Sequence, residues 1–141
     1  MRILLVLIML SVPLLSFSQE KNECDDPTMP YWANGINSRI EGEGPTLRNA
    51  FKDIQLTETN INPNNGFITL RLIISKTGKF CGIDTFQIDE NYKNTEFNDG
   101  ELIEKLEKVA LGLKKWHRDE DYKTYNLIRI KIKDGKIEEI F

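Results

Sequence analysis

Near the end of the chain, apolar and polar residues alternate. In TYNLIRIKIK, Thr124 to Lys133, Ile128, Ile130 and Ile132 fall on one side and Arg129, Lys131 and Lys133 on the other. A period of two is that of a strand with one face buried and the other in water. Asp134-Gly135 suits a tight turn, and KIEEIF runs back, so the chain closes on a hairpin. The same period marks FITLRLIIS, where Ile68, Leu70, Leu72 and Ile74 oppose Thr69, Arg71 and Ser75. KTGK then supplies a turn and FCGIDTFQID a returning strand, predicting a hairpin from Phe67 to Asp89. Gly82 within that second strand points to a bulge or a close backbone approach.

Between the hairpins the period changes. Leu102, Ile103, Leu106, Val109, Ala110, Leu113 and Trp116 recur at helical spacing, with Glu104, Lys105, Glu107, Lys108 and Lys114 outside the stripe. Asp99 is placed to cap this helix, which ends at Trp116. Earlier, TLRNAFKDIQL sets Leu47, Ala50, Phe51 and Ile54 on one helical face, with Thr46 as the cap. Residues 19–45 are polar and rich in Asp, Asn, Gly and Pro, and read as loop or linker. Tyr31 and Trp32 within them either pin the loop to the domain or form an exposed recognition pair. The order helix, strand, strand, helix, strand, short strand predicts an α+β domain over 46–141. Its expected architecture is an antiparallel sheet of three to four strands with two helices packed on one face.

The N-terminus changes the expected compartment. Arg2 is followed by the apolar run ILLVLIMLSVPLLSF, with the small residues Ser16 and Ser18 at its end. This is the pattern of a secretory signal peptide over 1–18, cut between Ser18 and Gln19. A retained inner-membrane anchor is the alternative, but the run falls short of the ~20 residues that span a bilayer. Lipoprotein processing does not fit, because Lys21-Asn22-Glu23 precedes Cys24. The protein is therefore expected in the periplasm or secreted. There a disulfide between its two cysteines, Cys24 and Cys81, is permissible; the alternative is a buried free thiol at Cys81 with Cys24 unpaired.

Charge and chemistry narrow the function. The chain has 19 basic and 22 acidic residues, net −3; loss of Arg2 with the leader would leave 18 against 22, or −4. With no basic patch interleaved with aromatics, a nucleic-acid partner is not expected. The single histidine, His117, restricts metal and nucleophilic sites to one imidazole, and it reads as a residue following a helix C-terminus. A hydrolase pairing His117 with Asp119 or Asp121 is the enzymatic alternative. Glu138 and Glu139 are expected on opposite faces of a strand, and Gly42-Glu43-Gly44 lacks the Lys-Ser/Thr of a phosphate loop. The expectation is a binding domain, with no catalytic residues, metal, cofactor or small-molecule substrate.

From about Gly66 to the C-terminus, about 75 of 141 residues, the chain resembles the C-terminal domain of TonB. That domain is the periplasmic module of bacterial energy transducers. The resemblance rests on the hairpin ITLRLIISKTGKFCGIDTFQID, the amphipathic segment closing on Lys114-Lys115-Trp116, and the terminal IRIKIKDGKIEEI. HRDEDYK stands where the family often carries a Pro-containing segment. About 25 polar residues with Pro27, Pro30 and Pro45 replace a long Pro-rich linker, so energy transduction by this molecule alone is not expected. The resemblance implies binding of an extended segment of an envelope protein, such as a TonB-dependent outer-membrane receptor, by β-strand addition. The implied partner-binding residues are Tyr125, Leu127, Arg129, Lys131 and Lys133, with KIEEIF protecting that margin until a partner displaces it. Two further expectations follow from such an edge: a homodimer by strand exchange, or a structural or inhibitory protein that keeps the fold without receptor coupling.

Overall fold

A computed structural model describes residues 20–33 and 35–141; the expected signal peptide lies outside them. Seven strands and three helices follow in chain order: β1 Thr28–Pro30, β2 Arg39–Ile40, α1 Glu43–Ala50, α2 Lys52–Thr57, β3 Gly66–Ile74, β4 Phe80–Asp89, α3 Glu101–Leu111, β5 Trp116–His117, β6 Lys123–Lys133 and β7 Lys136–Ile140. The fold is α+β. Its main sheet has five strands in the order β1-β6-β3-β4, with β7 also on β6, while β2 and β5 form a separate two-stranded ribbon.

Both predicted hairpins are present. β3 pairs antiparallel with β4 and with β6, and its even-numbered residues Ile68, Leu70, Leu72 and Ile74 are buried against the core, as are Ile128, Ile130 and Ile132 of β6. Leu47, Phe51, Leu102, Leu106 and Ala110 from the helices join the same cluster. Asp134 and Gly135 both have positive φ, 51° and 70°, the geometry of a two-residue turn that follows sheet twist. Gly66 is fixed by space: at φ 150°, a Cβ there would lie 2.2 Å from the Ile88 carbonyl oxygen.

The sheet is mixed and not antiparallel, because β1 runs parallel to β6. The polar stretch read as loop thus supplies β1 and β2 and buries Ile36 and Ile40. The bulge expected near Gly82 falls on Cys81: Ile73 pairs with Gly82 and Ile74 with Phe80, leaving Cys81 as the extra residue. Gly82 itself makes no close approach, its nearest neighbour being an Ile73 side-chain carbon at 3.8 Å from an added Cβ. Cys81 is bonded to Cys24, with Cα atoms 5.4 Å apart, so the N-terminal segment is tied to β4 before it crosses to β6.

The helix boundaries differ from the periodicity. Thr46 lies inside α1, its hydroxyl donating to the Glu41 carbonyl, and the helix starts beyond Gly42. Phe51 (φ −93°, ψ 3°) breaks the expected single helix into α1 and α2. Asp99 takes positive φ in a 3-10 turn and does not cap α3, which follows Gly100. α3 stops at Leu111, one residue before Gly112; Trp116 and His117 pair with Ile40 and Arg39 in the ribbon. The apolar spacing persisted past the helix end because Leu113 and Trp116 still pack on the core from a different backbone conformation.

Candidate functional site

β6 is the centre of the site. Its even-numbered residues face the core, so Tyr125, Leu127, Arg129, Lys131 and Lys133 share the opposite, outer face. There Arg71 lies over the rings of Phe86 and Tyr125, at 5.3 and 5.7 Å, and Arg129 over Phe67 and Phe141, at 5.1 and 5.8 Å. Arg71 also holds Asp84 across the hairpin at 2.8 Å. Lys131 and Lys133 clasp Glu138 of β7, at 2.6 and 3.4 Å. The hydrogen bond from Lys131, with help from Lys133, keeps the Glu138 carboxyl below its usual range, and the same contact raises Lys131. Both lysines are therefore ion-paired to Glu138 at the surface, their side chains 38% and 53% exposed.

The backbone of the same odd-numbered residues points away from β3, toward the outer margin of β6. That margin is divided. β1 lies beside Lys123 to Tyr125, and the Tyr31 N–H donates to the Tyr125 carbonyl at 3.1 Å. β7 lies beside Ile130 to Lys133, and Arg129 exchanges both backbone bonds with Phe141, at 2.7 and 2.9 Å. Leu127 falls between the two. No backbone partner among the described residues reaches its N–H and C=O, and its side chain is 37% exposed.

Beside this gap is a cavity of about 330 Å³, floored by Asn126, Leu127 and Ile128 and flanked by Tyr31 and Phe141. Ile40, Leu47 and Trp116 form its apolar wall. A short buried polar chain reaches it: Thr124 Oγ1 bonds Ser38 Oγ at 3.1 Å and accepts from Asn126 Nδ2 at 3.3 Å. Asn126 Oδ1 and Trp116 Nε1 are buried without a hydrogen-bond partner.

Of the residues expected to bind a partner, the strand brings all five onto one face and one margin, but only Leu127 presents backbone with no partner among the described residues. Asn126 and Trp116 were not expected in a site, whereas Tyr31 was weighed with Trp32 as an exposed recognition pair. The sequence offers only a weak signal for Asn126: the inward-facing positions of TYNLIRIKIK begin with two polar residues, Thr124 and Asn126, before three isoleucines. Tyr31 anchors the loop through its backbone, whereas Trp32 is 67% exposed. His117 is exposed, 3.9 Å from Glu41, and not at a helix end. Asp119 accepts hydrogen bonds from Asn37 and then Arg39, which hold its carboxyl below the usual range.

The second open margin of the sheet is β4. Gln87 and Asp89 are met there by Thr95 and Lys93, while no strand among the described residues pairs with the outer side of Ile83 to Phe86. Together these features define an α+β domain with a gapped sheet margin opening on a walled apolar notch. No protein-family model, curated protein or solved structure matches the chain.

Proposed function

We propose that the protein is a non-enzymatic binding domain of the TonB C-terminal type. It takes up an extended segment of another envelope protein, such as a TonB-dependent outer-membrane receptor, as an added strand on the outer margin of β6. The observation that carries this reading is β1: a three-residue extended segment already pairs in parallel with that margin, and Leu127 beyond it pairs with Arg71 of β3 but meets no strand among the described residues on its outer side. Main-chain hydrogen bonding accepts many sequences, and the alternate side chains of the outer face add selectivity. The chain order β3, β4, α3, β6, β7 is the order the TonB resemblance implies. The Cys24–Cys81 disulfide suits an oxidising compartment, the periplasm or the cell exterior.

A partner entering this margin displaces β1 and not the closing strand. Ile137 and Ile140 of β7 are buried in the core, and exposing both would cost about 3 to 6 kcal/mol. β1 buries no residue fully, and Pro30 has no N–H to give. Titration of the isotopically labelled, naturally processed protein with peptides copying the N-terminal segments of outer-membrane receptors tests the reading. Amide shifts at Tyr125, Leu127 and Arg129 are expected; no shift at any sheet amide overturns it. The second reading, a structural or inhibitory protein with the same fold, is favoured by β1 itself, because a tethered strand already occupies part of the margin.

A further inference from the structure

None of residues 20–33 is buried, yet this segment reaches from one margin of the sheet to the other. It starts on β4, where Cys24 is bonded to Cys81. It passes the β3–β4 turn, where Glu23 accepts from the Thr77 hydroxyl at 2.6 Å and Asp26 lies 3.9 Å from Lys76, and it meets the outer margin of β6 as β1. Past β1 the chain is held again: the Ser38 N–H donates to the Tyr31 carbonyl at 3.0 Å, and Ile36 is buried. β1 is thus fastened on both sides. On its N-terminal side the fastening is one covalent bond among surface polar contacts, and exposed ion pairs of that kind contribute little.

We infer that the Cys24–Cys81 bond is the latch of the β1 cover, and that its reduction by a dithiol opens the margin beside Leu127 to an extended segment. Three features converge on it. Neither cysteine belongs to the hydrophobic core, and Cys81 is the extra residue of a bulge, outside the β3–β4 register, so cutting the bond leaves the ladder and the core in place. Both cysteines are half-buried, within reach of an attacking thiolate, and exposed disulfides are the labile ones. The bond also lies four residues ahead of β1 and acts on the cover directly. In the exchange, a thiolate of the reductant attacks one sulfur, the S–S bond breaks, and the other cysteine leaves as a thiolate and takes a proton. The second thiol of the reductant then displaces the first cysteine. Two electrons and two protons pass to the protein, and the dithiol becomes a disulfide. While the latch is closed, β1 is pinned from both sides and re-docks at a high local concentration. Once it is open, the segment ahead of Tyr31 is held from one side only, and the same few backbone bonds must order it. β7 is untouched, because Ile137 and Ile140 hold it in the core.

This inference rests on the strand-addition reading for what enters the margin, whereas release of β1 is measured with no ligand present. Hydrogen exchange is followed in the naturally processed protein, oxidised and after treatment with dithiothreitol. On reduction the Tyr31 amide should exchange about tenfold faster or more, with Arg129 and Phe141 unchanged, and reoxidation should restore it. Peptides copying the N-terminal segments of outer-membrane receptors should bind the reduced form about tenfold more tightly, since apparent affinity scales with the fraction of molecules whose margin is open. Cys24→Ser combined with Cys81→Ser should match the reduced protein in both readouts with no reductant present. Equal protection of Tyr31 in the two states overturns the latch and leaves strand addition standing. So does a bond that dithiothreitol fails to cut in the folded protein. Faster exchange at Arg129 and Phe141 together with Tyr31 overturns the latch in favour of a staple for the whole domain. Release of Tyr31 with equal peptide affinity in both states overturns it as a control of binding. Release of Tyr31 with no peptide bound in either state supports the latch and overturns strand addition.

Discussion

The two strands that flank the gap in β6 cover it by different physics. β7 is held as part of the core: Ile137 and Ile140 are buried, a bulge at Glu138 lets both face inward, and Glu138 is clasped by Lys131 and Lys133. β1 is held from outside. Its residues are exposed or half-buried, and its position depends on the Cys24–Cys81 bond, the Tyr31–Tyr125 bond, and the Lys123 ammonium bonded to the carbonyls of Cys24 and Asp26. Two strands on one margin can thus be a permanent closure and a removable cover. What separates them is buried apolar area, not the count of backbone bonds.

The sharpest way to break this comparison is to strip the core from β7. Ile137→Ala combined with Ile140→Ala should lose about 4 to 10 kcal/mol in denaturant unfolding, from the range for buried aliphatic truncations. A loss below about 1 kcal/mol would show that β7 is no more embedded than β1. Next in size is the tether. Cys24→Ser with Cys81→Ser opens a loop of 57 residues of sequence separation and should cost about 2 to 4 kcal/mol. It should also raise hydrogen exchange at Tyr31 far more than at Arg129.

Smaller effects sharpen the contrast. Met29→Ala in β1 should change stability by less than about 1 kcal/mol, because Met29 is already 36% exposed. By loosening the cover it should strengthen segment binding measured by calorimetry. The smallest effect is on pH. The Glu138 carboxyl sits below its unfolded value, so its contribution is present above that unfolded value and is lost as pH falls through the lowered folded one. Lys131, raised by the same contact, contributes below its unfolded value and loses that contribution as pH rises through the raised one. The stability gap between wild type and Glu138→Gln, followed by urea unfolding across pH, should therefore be widest near neutrality and close toward both extremes.

Much of the frame was legible before the coordinates. The period of two in β3 and β6 and the turn chemistry of Asp134-Gly135 placed both hairpins, because a half-buried strand writes its burial directly into alternation. β1 was not legible: Thr28-Met29-Pro30 is too short to show a period and contains a proline, and its partner lies 95 residues away. The end of α3 was legible at Gly112, but the apolar stripe running on to Trp116 hid it. The candidate site was half legible. Alternation put Tyr125 to Lys133 on one face, yet which of them keeps an open backbone depends on strands met only in three dimensions. Asn126 follows Thr124 as a second polar inward position ahead of three isoleucines, and its unpartnered Oδ1 could be seen only in place.

The central claim is that β1 yields and β7 stays, and hydrogen exchange during segment binding tests it most directly. With a receptor-segment peptide at saturation, the Tyr31 amide should lose protection, the Leu127 amide should gain it, and Phe141 should be unchanged. Loss of protection at Phe141, with Tyr31 still protected, would contradict the account and make the C-terminal strand the gate.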